Sequence, residues 1–323
     1  MAAIAAAGAN CSADPAQDGP AQDGSDQAAR VADGGNPLAG AALYVNPTSA
    51  ALRAANSADP QSPELAQIAN TPQAFWIDEA VPAWVLNGYL DGARAAGAMP
   101  VLAIYAIPHR DCGSFAAGGF ATGADYKGWI DGVAASLGDT PVAIVLEPDA
   151  LAMADCLPPD QRQDRFDLIR YAVDALNRDP GAAVYIDGGH SRWLSAEEIA
   201  ARLNAVGVDH ARGFSLNTSN FFTTDEEVDF GETVSGLTGG SHYVIDTGRN
   251  GVGPAPDSKL SWCNPAGRAL GVPPTTDTAG EHADAYLWVK RPGESDGACG
   301  QGEPRAGTFV NQYAIDLARN AGH

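Results

Sequence analysis

The sequence predicts an α/β protein, a distorted barrel of seven to eight parallel strands with a cleft at the carboxyl ends of the strands. Three observations lead there. Short apolar runs alternate with helical patterns from residue 36 onward. Strand–helix alternation argues for a parallel sheet, and this many units favours closure over an open doubly wound sheet. No G-x-G-x-x-G or P-loop follows any run, which weakens the nucleotide-binding version of the open sheet.

The strand candidates are residues 42–45, 74–77, 101–105, 142–146, 184–186, 213–216, 243–245 and 285–289. Helical periodicity fills most of the gaps, for example at 81–96, 124–137, 161–177, 196–205 and 308–321. Ser195 followed by Glu198 has the spacing of a capping box at a helix start. Residues 12–35 are rich in Asp, Ala, Gln and Gly and nearly empty of large apolar side chains. Such a segment cannot offset its ordering entropy. Residues 1–35 therefore read as a disordered acidic tail, linker or signal remnant, and 36–323 as the folded domain.

Composition narrows the function. The 323 residues suit one large barrel or two ordinary domains, and 45% are hydrophobic, enough for a sizeable core. No apolar run approaches the ~18 residues of a membrane span. Forty acidic residues face 19 basic ones, and Lys127, Lys259 and Lys290 are the only lysines. That field repels phosphate backbones and argues against nucleic acid, whereas a neutral glycan meets no such penalty. We expect a monomer. The five cysteines, Cys11, Cys112, Cys156, Cys263 and Cys299, form no CxxC pair or zinc spacing. Two disulfides in an oxidising compartment and reduced buried thiols fit the spacing equally. The start at Met1 lacks the basic first region of a signal peptide, and Gly8-Ala9-Asn10 makes a poor lipidation box, so Cys11 reads as a linker thiol.

In a parallel barrel the chemistry collects at carboxyl strand ends. There the sequence places Tyr105 and then His109-Arg110-Asp111-Cys112; Glu147-Pro148-Asp149; Asp187-Gly188-Gly189-His190; Asn217, Ser219 and Asn220; Asp246, Arg249 and Asn250; and Lys290, Glu294 and Asp296. Singly, each is an ordinary loop residue or helix cap. Together they describe a polar cleft. Clustered carboxylates repel, so some stay protonated near neutral pH, which is what a general acid needs. No G-x-S-x-G elbow or activated Cys supports acyl transfer. Glu147, Asp149 and His190 lack a zinc-binding spacing, so neither a metal nor a cofactor is expected. Trp76, Trp193 and Trp262 lie near strand ends, where indole faces can stack on sugar rings, although packing is the usual role of a lone Trp. Trp84 and Trp129 sit in helical patterns and read as core, and Trp288 reads as strand.

Several of these stretches together resemble glycoside hydrolase family 6. Ala103-Ile104-Tyr105-Ala106-Ile107-Pro108-His109-Arg110-Asp111-Cys112 is similar to its first signature, and Ile144-Val145-Leu146-Glu147-Pro148-Asp149-Ala150-Leu151 to its second. Asp187 to Trp193, Asn217 to Asn220, Asp246 to Gly251 and Trp288 to Gly297 follow in the family's order. The resemblance spans most of the chain from Asn36. It implies a catalytic domain that cuts cellulose or soluble β-1,4-glucan with inversion. Asp149 would be the general acid, with Asp111 raising its pKa and Asp296 as the debated base, paired with Arg249 and Lys290. Tyr105 would press on the sugar ring. Trp76, Asp187, His190, Trp193, Asn217, Asn220, Arg249, Trp262, Lys290 and Glu294 would bind substrate. The implied disulfides are Cys112–Cys156 and Cys263–Cys299, and the implied location is secreted, with a surface tether through the N-terminal segment as an option. Relatives hold the nucleophilic water with a loop serine. The matching position here is Ala117, with Ser114 as a substitute if the loop bends differently. Residues 246–262 and the segment after Glu294 are short, which implies an open cleft and internal cleavage. An exo-acting cellobiohydrolase and a non-catalytic glycan-binding protein are the alternatives.

Overall fold

The computed structural model describes residues 35–256, 260–300 and 302–322. Cys11 and the expected tail, apart from Gly35, lie outside the described residues. Seven strands run in chain order: β1 Phe75–Ile77, β2 Val101–Ile104, β3 Val142–Leu146, β4 Ala182–Asp187, β5 Gly213–Leu216, β6 His242–Asp246 and β7 Ala283–Leu287. Every neighbouring pair is parallel. Eight helices accompany them among the described residues: α1 Ala50–Ser57, α2 Pro63–Ala69, α3 Ala83–Ala95, α4 Gly123–Leu137, α5 Pro159–Leu176, α6 Ala196–Ala205, α7 Thr224–Leu237 and α8 Asn311–Asn320. None is long and apolar enough to cross a membrane.

The strands read as continuous apolar runs because both their faces are covered. β2 and β3 are buried at every residue. Alternate side chains go to opposite faces. Leu102, Ile104, Ile144, Leu146, Val184, Ile186 and Phe214 pack outward against the helices. Ala103, Ala143, Val145, Ala183, Val244 and Ala285 point inward, where curvature leaves room mainly for small residues. The barrel is not closed by a β7–β1 ladder. Its seam is held by the Ala74 N–H on the Trp288 carbonyl (3.0 Å) and by the Trp76 Nε1–H on the Val289 carbonyl (2.8 Å). The fold is thus an open seven-stranded half-barrel.

Three expectations need correction. Residues 42–45 make no strand: Leu43 forms one bridge to Met99, and Asn46-Pro47 then turns the chain toward α1. The last strand begins two residues earlier than its apolar run, because Asp284 is buried within it and paired with Arg212 and Tyr185. Trp288 therefore lies past β7, packed with Leu65 and Leu317 in a small cluster formed with α1, α2 and α8. Trp84 is not core but 74% exposed in the first turn of α3. Trp129 does pack against the core, beside Phe120 and Tyr126. Ser195 caps α6 by accepting the Glu198 N–H (3.2 Å), while the Glu198 carboxylate turns to Arg202 (2.8 Å).

Candidate active site

β3 runs straight into Glu147-Pro148-Asp149. Glu147 (φ 51°) and Asp149 (φ 69°) both take the left-handed conformation, which costs a non-glycine residue on the order of 1 kcal/mol or more. The turn persists because its neighbours hold it. The buried Glu147 carboxylate accepts the Ala106 and Ile107 N–H groups, each at 3.1 Å. The Asp149 N–H donates to Asp187 Oδ1 at 2.9 Å. Asp187 also takes the Gly189 N–H (3.0 Å) and the Ser215 hydroxyl (3.0 Å), so both its oxygens are committed to protein groups.

This wall of the cleft favours protonated carboxyls. Burial, followed by the charges of Asp187 and Asp111, drives the Asp149 pKa well above the ordinary value. Burial pushes Glu147 up to about 7 and Asp187 up to about 6. Asp111, half-buried and at φ 55°, is raised by burial although it accepts the Ala116 N–H at 2.6 Å. Tyr105 meets Trp76 edge-on (5.4 Å between ring centres), with the Arg110 guanidinium 4.8 Å from its own ring centre. Burial, then Asp149 and Asp111, keep its hydroxyl protonated.

The opposite wall rises from β6 and β7. Asp296 is buried, bonded to Arg249 Nη1 (2.8 Å) and the Asn264 N–H (3.0 Å), with Lys290 Nζ at 3.5 Å. Burial alone would raise its pKa, but the two cations hold it below the ordinary value. Arg249 lies over the Phe221 ring (4.4 Å) and also donates to the Ser219 carbonyl. Glu294 is buried and pairs with Arg291 (2.8 Å).

Beside β4, His190 is stacked on Phe222 (4.3 Å) and leans on Trp193 (5.2 Å). Burial lowers its pKa to about 4. Its Nδ1 accepts the Arg192 N–H (3.2 Å), so the neutral ring carries its proton on Nε2. Trp262 is 37% exposed and touches Phe115 from the facing loop, 5.8 Å between ring centres. Asn217 is buried, with its amide on the Phe222 and Asp246 carbonyls and the Phe222 N–H. Asn220 donates to the Thr218 carbonyl at 3.1 Å. Ser114 and Ala117 are both exposed on the loop after β2. Phe115 and Phe222 were not singled out in the sequence, although each lies within four residues of a motif that was. The cysteines pair as Cys112–Cys156 and Cys263–Cys299. Among the described residues no group of three or more His, Cys, Asp or Glu is arranged to hold a metal ion.

Known proteins share this fold and much of this sequence. The endoglucanase Cel6 from Mycobacterium tuberculosis, solved with a thio-linked cellobioside, superimposes with a TM-score of 0.88 at 70% identity, over 89% of this chain and all of that one. Endoglucanase A of Cellulomonas fimi is 45% identical over 86% of this chain, which spans 61% of that protein's length. A probable 1,4-β-D-glucan cellobiohydrolase C of Aspergillus terreus is 31% identical over 89% of this chain and 76% of its own length. The model of the glycosyl hydrolases family 6 matches residues 38–321. The chain belongs to that family.

Proposed function

We propose that this chain hydrolyses internal β-1,4-glucosidic bonds of cellulose or soluble β-glucan, with inversion. The observation that carries the reading is the opposed state of two carboxyls across one cleft, Asp149 driven up and Asp296 held down. Glycoside hydrolysis needs such a pair, one to protonate the leaving oxygen and one to act on water. Asp149 is the acid, and Asp111 supports it by charge. Asp296 is the base candidate, and its pairing with Arg249 and Lys290 makes it a weak one. Protonation by Asp149 therefore leads the reaction. Tyr105 presses on the ring at the cleavage point. Trp76, His190, Trp193, Trp262, Lys290 and Glu294 line the glucosyl subsites. Asp187, Asn217, Asn220 and Arg249 act from behind them, since much of their hydrogen bonding goes to protein groups.

Internal cleavage is supported by loop length. The alignment to the A. terreus cellobiohydrolase runs over 357 positions, more than the 323 residues of this chain, so that protein carries insertions here absent. The endoglucanase names of the M. tuberculosis and C. fimi proteins point the same way. Two disulfides fit secretion into an oxidising compartment. Residues 36–323 form the catalytic domain and residues 1–35 an acidic tail, linker or signal remnant, and the enzyme acts as a monomer without a cofactor. The test uses soluble carboxymethylcellulose, with viscosity and new reducing ends recorded together. A steep early viscosity fall with few ends, abolished by Asp149→Asn, is expected. Ends released at nearly constant viscosity would mean exo cleavage. An inactive wild type would mean a binding protein or another glycan.

A further inference from the structure

Two residues past β1, Glu79 reaches across to the loop that follows β2. Its Oε1 accepts the Gly119 N–H (2.9 Å) and its Oε2 pairs with Arg110 Nη1 (2.7 Å). Arg110 continues the tie. Its Nε donates to the Ala116 carbonyl (3.0 Å) and its Nη1 to the Tyr105 carbonyl (2.6 Å). Arg110 also forms a backbone bridge with Gly118. The contact is close-packed: a Cβ added at Gly118 would stand 2.2 Å from Arg110 Nη2 and 2.8 Å from Glu79 Oε1. The loop so held, 113–119, carries Ala117 and supplies the amide on Asp111.

Arg110 also acts by charge. It lowers the pKa of Asp111 and of Glu147 against the effect of burial. Facing its guanidinium are Glu79, the Tyr105 ring and, at 4.0 Å, Asp78. Glu79 is the carboxylate bonded to it, and so the group that most nearly neutralises it.

Resting on the hydrolase reading above, we propose that Glu79 is a positioning residue for the reaction. It fixes the 113–119 loop over the cleavage point and, through Arg110, sets the charge felt by Asp111 and Asp149. No motif in the sequence marks it. Ala117 brings no side-chain hydrogen bond to this loop, and the Glu79–Arg110 pair holds the backbone on either side of it, at Ala116 and Gly119.

Removing the Glu79 charge leaves Arg110 free to pair with Asp111. The less neutralised guanidinium charge then favours the ionised forms of both Asp111 and Asp149. Both limbs of the pH–rate profile should therefore move to lower pH, by roughly half a unit. Glu79→Gln keeps the size and one acceptor for Gly119. We expect kcat to fall roughly tenfold with KM changed by less than about twofold, the signature of lost positioning rather than lost binding. Gly118→Ala attacks the same tie from the loop side and should lower kcat similarly. Hydrogen exchange of the 113–119 segment, which needs no substrate, should quicken in both variants. A Glu79→Gln protein with wild-type exchange and a wild-type pH profile overturns the proposal. So does a variant that loses only melting temperature, or one that raises KM alone. If the wild type cuts no glucan but the loop exchange still quickens in both variants, the hydrolase reading fails and the loop tie stands.

Discussion

The two walls of the cleft present the same side chain in opposite states. On the β3 wall Asp149 is part-buried among other carboxyls and desolvation raises its pKa; on the β7 wall Asp296 is buried beside Arg249 and Lys290 and its pKa falls. Asp246 shows which difference matters. It accepts four backbone N–H groups, from Gly248, Val289, Ser219 and Lys290, yet its pKa is still raised by burial. Its amide dipoles, even with the charge of Arg249 acting on it, do not offset its desolvation. Asp296 has one amide on its side chain and two full positive charges, and it stays ionised. Between these two carboxyls, the cations paired with the carboxylate itself, not the hydrogen-bond count, keep Asp296 ionised.

Three variants test that contrast, taken from the largest effect down. Asp149→Asn removes the proposed acid but little volume. Its kcat on soluble β-glucan should fall about 10³-fold, within the range of general acid catalysis. A fall of less than tenfold would place the proton donor elsewhere. On the other wall, Arg249→Met leaves Asp296 buried with Lys290 as its one remaining cation. Breaking a buried pair from one side costs about 3–5 kcal/mol, readable in denaturant unfolding. Adding Asp296→Asn should recover part of that loss. If the double variant is no more stable than the single one, the Asp296 charge is not what Arg249 compensates.

The walls should also pull stability in opposite directions with pH. Glu147 rises from 4.5 to about 7 on folding. A raised carboxyl contributes stability that is full below its unfolded pKa and lost as pH rises through the folded one. For Glu147 the difference is about 3 kcal/mol, lost between about pH 4.5 and 7. Asp296 works the other way: its contribution is present above the ordinary carboxylate pKa and disappears as pH falls below it. The melting temperature should thus peak in mildly acidic buffer and decline toward neutrality. In Glu147→Gln the neutral-side decline should flatten. A decline of unchanged slope would assign it to other groups.

How legible all this was in the sequence depended on the kind of signal. Runs such as Val142–Leu146 announce a doubly covered strand, and the Glu147-Pro148-Asp149 turn follows one directly. The motifs therefore marked the carboxyls and cations that gather beyond the carboxyl ends of the strands. Tertiary effects were hidden. Asp284 sits inside β7 because Tyr185 on β4 and Arg212 just before β5 reach it, so the apolar run misplaced that strand by two residues. Trp84 has the spacing of a core residue, but the first turn of α3 turns it to solvent. Glu79 carries no local signal, since its partners Arg110 and Gly119 lie 31 and 40 residues away. Periodicity reports which face is apolar; it does not report which distant charge a carboxylate will meet.

The finest test lies within the β3 wall. Asp187 touches Asp149 through its backbone N–H and raises its pKa by charge. Asp187→Asn keeps an oxygen for the Asp149 and Gly189 amides, and the Ser215 hydroxyl can rotate to accept from the new amide. Geometry is thereby preserved while one negative charge is lost. Asp149 should then release its proton more easily, and the alkaline limb of kcat against pH should move down by about one unit. KM should change little, because both Asp187 oxygens face protein groups. An alkaline limb that stays in place would mean that burial alone raises Asp149, and that the neighbouring carboxyls on its wall do not matter. A large rise in KM would instead mean that Asp187 meets the sugar directly.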